Sequence, residues 1–137
     1  MTIYLDYNAT TPVLQEVADL VYKMMVDEFG NAGSRTHEFG VTAKKAVELA
    51  RTQVANVVGI DKTEVIFTSG ATESNNIAIL GLREYAEINE KKHIITTQIE
   101  HKAVLEPVKY LEKQGFDITY LGTNEGGQID IKELKAA

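Results

Sequence analysis

Cysteine is absent from this 137-residue chain, which excludes a disulfide framework, a thiolate metal site and a cysteine nucleophile within these residues. Positive charge is sparse as well. Arginine occurs only at Arg35, Arg51 and Arg83, and no basic run is longer than Lys44-Lys45 or Lys91-Lys92. With 14 Lys and Arg against 20 Asp and Glu, the formal net charge is -6. Such a chain lacks the electrostatic footprint of a nucleic-acid binder, so no direct nucleic-acid partner is expected. No apolar run approaches the roughly 20 residues that span a bilayer, and residues 1–11 hold no basic segment followed by an apolar one. The expected address is cytoplasmic, with no membrane partner. Internal repeats and low-complexity segments are also missing. What remains is ordinary globular composition, 44% hydrophobic and 25% charged. The length allows one domain that buries about two thirds of its unfolded surface.

The opening Ile3-Tyr4-Leu5-Asp6-Tyr7 alternates as a short extended arm. Thr11-Pro12 then reads as a helix cap followed by proline at the first helical position. Val13, Val17, Leu20, Val21, Met24 and Met25 continue at helical spacing, predicting a helix over 12–29 stopped by Gly30. After a loop at 30–34, Val41, Ala46, Val47, Leu49, Ala50, Val54, Val57 and Val58 mark a longer amphipathic helix capped by Gly59. Strands and helices alternate from there. Strands are expected at 64–68, 93–97 and 117–121, and helices at 72–85 and 101–114. The first of those helices is apolar over most of its girth, which predicts burial. Pro107 is expected to interrupt the second, with the helix restarting near Glu106. This order indicates an α/β fold with a mostly parallel sheet flanked by helices. Gly126-Gly127 makes a turn, and Asp130 with Glu133 opens a further amphipathic helix that stops at Ala137 without a stop signal. The chain is therefore expected to continue in a longer parent.

In parallel sheets, ligands sit outside the carboxyl ends of the strands, where helix N-termini point free N–H groups. Two connections fall on that edge. In Thr68-Ser69-Gly70-Ala71-Thr72-Glu73, Gly70 and Ala71 let an anion approach the backbone while Ser69 and Thr72 add hydroxyls, a phosphate cradle. The same residues would also serve any strand-to-helix turn as caps. In Gln98-Ile99-Glu100-His101-Lys102, His101 lies at a helix start, where a neutral flat ring is available for stacking; its plain alternative is a surface histidine. Asp6, Glu73 and Glu100 are either paired carboxylates or, since nothing fixes their separation, solvated or capping ones. His37 is either a ligand contact or part of an ordered turn. His37, His93 and His101 have no partners at metal-binding spacing, so no metal site is expected.

Together these residues resemble a known family. Tyr4-Leu5-Asp6-Tyr7-Asn8-Ala9-Thr10-Thr11-Pro12, then Phe29-Gly30-Asn31 with Ser34 and His37, then TSGATESNN from Thr68 to Asn76, then Glu100-His101-Lys102-Ala103-Val104, are similar in order and interval to cysteine desulfurases of the NifS and IscS type. The match covers nearly the whole chain.

The resemblance implies the aspartate aminotransferase-like fold (fold type I), with residues 1–60 as an N-terminal arm and helices and 61–137 as the start of the cofactor-binding large domain. It implies pyridoxal 5'-phosphate as cofactor and L-cysteine as substrate. The products would be L-alanine and enzyme-bound persulfide sulfur for iron–sulfur cluster assembly or thio-modification, passed on by a homodimer to a sulfur-acceptor protein. Ala71 and Thr72 would bind the cofactor phosphate. His101 would stack on the pyridine ring and help move protons. Asn8, Ala9 and Thr10 would lie on the substrate side, and the loop around Asn31 to His37 near the cofactor or dimer contact. Ala32-Gly33 stands where relatives usually have proline after Gly-Asn, which predicts a more mobile loop. The lysine that holds the cofactor, the acidic partner of its ring nitrogen and the sulfur-receiving cysteine would all lie downstream, and Lys102 belongs to the histidine motif instead. The isolated chain is thus expected to be inactive, without covalent cofactor, and to self-associate through apolar faces such as Ile77 to Leu82. Selenocysteine lyases and other class-V enzymes share these motifs. A non-catalytic anion-binding module is the alternative of a different class.

Overall fold

A computed structural model describes residues 3–137. The chain divides into two compact units, Met1–Ile66 and Phe67–Ala137.

In the first unit, α1 (Gln15–Val26) and α2 (Glu38–Val58) carry the regular structure. The expected cap at Thr11 is not used. Leu14, in extended conformation, precedes α1, and its carbonyl accepts the amides of Val17 and Ala18, both at 3.0 Å. Gln15 then bonds Asp19 one turn on, at 2.7 Å, and Glu16 suits the positive helix end. The helix also stops short of Gly30. The amides of Asp27 and Glu28 both close on the Lys23 carbonyl, and Phe29 leaves the helix to stack on Phe39, ring centroids 5.7 Å apart. Gly30 and Gly40 permit the close approach that follows. A Cβ on Gly30 would meet the Phe39 carbonyl oxygen at 2.1 Å, and one on Gly40 the Ser34 carbonyl oxygen at 2.6 Å. The far end of α2 is closed as expected by Gly59, left-handed at φ 72, whose amide reaches the Ala55 carbonyl at 2.8 Å.

The expected strand at 64–68 does not form. Asp61 and Glu64 make a reciprocal capping box around the 3-10 turn Lys62–Glu64, and the buried Val65 gives its carbonyl to Arg51. Val65 is extended, but residues 65–68 join no sheet among the described residues.

The second unit contains α3 (Ala71–Gly81), α4 (Arg83–Ile88), β1 (His93–Thr97), α5 (Lys102–Lys113), β2 (Asp117–Leu121) and α6 (Ile131–Ala136). β1 and β2 pair in parallel, with His93 opposite Asp117 and Thr97 opposite Leu121, and α5 is the crossover that parallel pairing requires. The core gathers Ala86, Leu111 and Phe116, with Ile79, Leu80, Ile94 and Ile118 packed against it. Gly115, at φ 88, lets the Phe116 amide reach back to the Leu111 carbonyl at 3.1 Å, which turns Phe116 into that core. Three expectations fail here. Pro107 does not interrupt α5: its buried ring sits in a continuous helix, and only the one bond its missing N–H would have made is lost. The expected helix 72–85 divides at Leu82, whose ψ is -4, next to the weak helix former Gly81. Burial of α3 fails as well, since no residue of it is buried. Ile79 and Leu80 face the core while Ile77 stays 45% exposed.

Candidate functional site

The turn at 68–70 delivers the chain into α3. Gly70 is extended there, and a Cβ on it would meet nothing within 4 Å, so the approach to the helix start is open. The first helical bond runs from the Ser74 amide to the Gly70 carbonyl, 3.1 Å. The amides of Ala71, Thr72 and Glu73 therefore have no carbonyl one turn behind them, and they carry the positive end of the helix dipole. The exposed Thr72 hydroxyl adds a donor from the same turn. Such an end favours a phosphate.

Ser69 does not join this cradle as expected. Its amide and hydroxyl both donate to Glu73 Oε2, at 2.6 and 2.8 Å. The two bonds, the backbone one first, hold the Glu73 carboxyl below the usual carboxylate range. Thr68 is also committed locally, donating to the Gly70 carbonyl at 3.2 Å and sharing a 2.7 Å bond with the Ser74 hydroxyl. The donors left for an anion are thus the α3 amides and Thr72.

His101 caps α5. Its Nδ1 accepts the Ala103 amide at 3.1 Å, which leaves the hydrogen of the neutral ring on Nε2. The loop before it is anchored: the Gln98 amide donates to the Leu121 carbonyl at 3.0 Å, and Thr97 Oγ1 donates to Glu100 Oε1 at 3.0 Å. This is the carboxyl edge of the parallel pair. A groove of about 450 Å³ lies between α3 and α5, lined by Thr72, Asn76 and Leu80 from α3 and by Lys102, Ala103, Glu106, Pro107 and Tyr110 from α5. Of the residues singled out in the sequence, Thr72 lines this groove, with Lys102 and Ala103 of the first turn of α5; Ala71 and His101 do not line it. Asn76, Lys102 and Tyr110 were not foreseen in it. Their signal was helical spacing: Thr72, Asn76 and Leu80 share one face of α3, and Lys102, Glu106 and Tyr110 one face of α5.

Asn8, Ala9 and Thr10 belong to the first unit, in a turn where the Ala9 amide meets the Asp6 carbonyl at 3.1 Å and Thr10 Oγ1 meets the Tyr4 hydroxyl at 2.7 Å. His37 is part of an ordered turn, capping α2 by accepting the Gly40 amide on Nδ1 at 3.1 Å while Nε2 meets Ser34 Oγ at 2.9 Å. Among the described residues, no three His, Asp or Glu side chains gather to hold a metal ion.

An open helix start beside a histidine-capped one can take a phosphate attached to a flat ring. The class-V aminotransferase family model matches residues 3–137. The chain is 50% identical to the cysteine desulfurase IscS of Neisseria gonorrhoeae, over 98% of this chain and 33% of that protein. It is 50% identical to the cysteine desulfurase IscS of Escherichia coli, over 100% of this chain and 34% of that one. It thus spans about a third of the length of these curated relatives. Among solved structures it is similar to a NifS-like protein (TM-score 0.90, 40% identity, 99% of this chain and 37% of that one). DndA from Streptomyces lividans gives a TM-score of 0.82 at 52% identity, covering 98% and 37%. SspA in complex with cysteine gives 0.88 at 40%, covering 99% and 39%. The α/β fold with its parallel strands is shared with these structures. The matched family depends on pyridoxal 5'-phosphate.

Proposed function

Because this chain belongs to the class-V aminotransferase family, we propose that the whole protein is a pyridoxal 5'-phosphate-dependent cysteine desulfurase, converting L-cysteine and an enzyme thiol into L-alanine and an enzyme persulfide. The observation that carries the reading is the open first turn of α3, with Thr72 on a groove that α5 lines through Lys102 and Ala103 next to the cap His101. The residues fit the cofactor's phosphate end: three amides without intrahelical partners, the Thr72 hydroxyl, and open space over Gly70. Ala71 and Thr72 bind the phosphate. His101, its ring fixed through Nδ1 by the Ala103 amide, offers a flat face for the pyridine ring and holds a proton at Nε2. When bound, pyridoxal phosphate supplies an electron sink for negative charge beside the substrate amino group. With no cysteine among the 137 residues, the thiol that receives sulfur belongs to another part of the protein.

L-Cysteine as substrate is supported by the 50% identity to IscS cysteine desulfurases and by the similarity to SspA, solved in complex with cysteine. Delivery of the sulfur to an acceptor protein for iron–sulfur cluster assembly or thio-modification extends that reading. A homodimer is supported by α1, which buries no residue and leaves Val17, Leu20, Val21 and Met25, a stripe at helical spacing, 46–73% exposed. The test is alanine release from L-cysteine by the full-length protein supplied with pyridoxal phosphate. Release that falls by at least tenfold with His101→Ala supports the function. No release by the wild-type protein contradicts it, and the 137-residue chain alone is expected to release none.

A further inference from the structure

The turn that leads into α3 has little packing to order it. Residues 69–73 are all exposed, and no atom lies within 4 Å of where a Gly70 Cβ would stand. Side chains of the helix's own first turn hold it instead. On one side, Ser74 Oγ meets the Thr68 hydroxyl at 2.7 Å and the Gly70 carbonyl at 3.3 Å. On the other, a single oxygen of Glu73 takes both the amide and the hydroxyl of Ser69. We propose that Glu73 is a positioning residue for the phosphate site: its carboxylate ties down Ser69 so that the amides of Ala71 and Thr72 stay aimed at one anion position. The inference rests on the reading that Ala71 and Thr72 hold the cofactor phosphate.

Glu73 has two opposed effects. It orders the turn before the ligand arrives, which removes an entropy cost from binding. It also places a negative charge near an anion, and the Ser69 bonds keep that charge present at neutral pH. The charge is fully exposed and screened by solvent and salt, whereas the two bonds to Glu73 hold both the amide and the hydroxyl of Ser69. Ordering therefore dominates. The clamp also takes both Ser69 donors out of competition, leaving the α3 amides and Thr72 as the site.

Two probes test this on the 137-residue chain by amide chemical shifts: pyridoxine 5'-phosphate, which has no aldehyde to react with lysines, and unphosphorylated pyridoxine. Glu73→Ala is expected to weaken pyridoxine 5'-phosphate about tenfold, the release of roughly one ordered residue, with no change toward pyridoxine. Glu73→Gln keeps an oxygen acceptor and is expected to stay within about twofold of wild type. Hydrogen exchange at the Ser69 amide should quicken in Glu73→Ala and remain slow in Glu73→Gln. Glu73→Ala binding that matches or exceeds wild type, with Ser69 exchange quickened, overturns the inference. Thr72→Ala separates the two failures. If it weakens the phosphorylated probe and Glu73→Ala does not, only the positioning role falls. If Thr72→Ala changes nothing, the phosphate assignment itself falls, and the positioning role with it.

Discussion

Leu111 is 1% exposed and sits between Ala86 and Phe116, with Ile79, Leu80, Ile94 and Ile118 around them. Leu111→Ala deletes three buried carbons and opens a cavity, a change that costs about 2–5 kcal/mol depending on how far the surroundings collapse. Here four of the six neighbours are only partly buried, so they can shift inward and water can reach the gap. That places the cost near the lower middle of the range, about 3 kcal/mol. At a urea dependence of about 2 kcal/mol per molar, the unfolding midpoint of the second unit should fall by roughly 1.5 M. The assay is urea denaturation followed by far-ultraviolet circular dichroism and tyrosine fluorescence. Ile88→Ala, at a side chain 73% exposed at the end of α4, is the control and should cost under about 0.5 kcal/mol. A loss below about 1 kcal/mol for Leu111→Ala would refute the placement of Leu111 at the centre of the core.

Gly40→Ala should destabilise the first unit by about 1–3 kcal/mol, because the new Cβ would press on the Ser34 carbonyl oxygen at 2.6 Å and on backbone that cannot swing aside; an unchanged thermal midpoint would contradict the close approach. Stability should also depend on pH in a defined direction. The carboxyls of Glu73, Asp61 and Glu48 are held below their ordinary values, by the bonds from Ser69, from the Thr63 hydroxyl and amide, and from Lys62 respectively. A depressed carboxyl contributes stability that is complete above its unfolded value and is lost as pH falls through the folded one. Melting temperature is therefore expected to hold from neutrality down to the ordinary carboxylate range and to fall below it. Glu73→Gln should make that fall shallower. A melting temperature that rises on acidification over this range would reverse the sign and the argument.

The parallel unit was legible because local pattern and tertiary pairing agree there. β1 and β2 occupy the expected 93–97 and 117–121, each the other's partner, and Gly115 follows α5 at positive φ, as Gly59 does α2 in the first unit. What failed depended on groups outside the local window. Residues 64–68 have strand character, but a strand needs a neighbour, and Glu64 and Val65 are engaged by Asp61 and Arg51. The apolar girth of α3 suggested burial without saying what would cover it. Pro107 was expected to break a helix whose packing outweighs one lost bond. The site shows the same division. Open amides at the start of α3 follow from backbone geometry alone, so they could be read in advance. The diversion of Ser69 to Glu73, and the use of His37 and His101 as caps through Nδ1, depend on side-chain rotamers that spacing does not specify.

The central claim is that the first turns of α3 and α5 form one site for a phosphate attached to a flat ring. Titration of the isotopically labelled chain with pyridoxine 5'-phosphate, read residue by residue, tests it most directly. The account predicts saturable shifts at the amides of Ala71 and Thr72, together with shifts at Ala103 and at the His101 ring as its face is covered. Shifts confined to lysine-rich surface such as Lys44-Lys45, with Ala71, Thr72 and His101 unmoved, would contradict it.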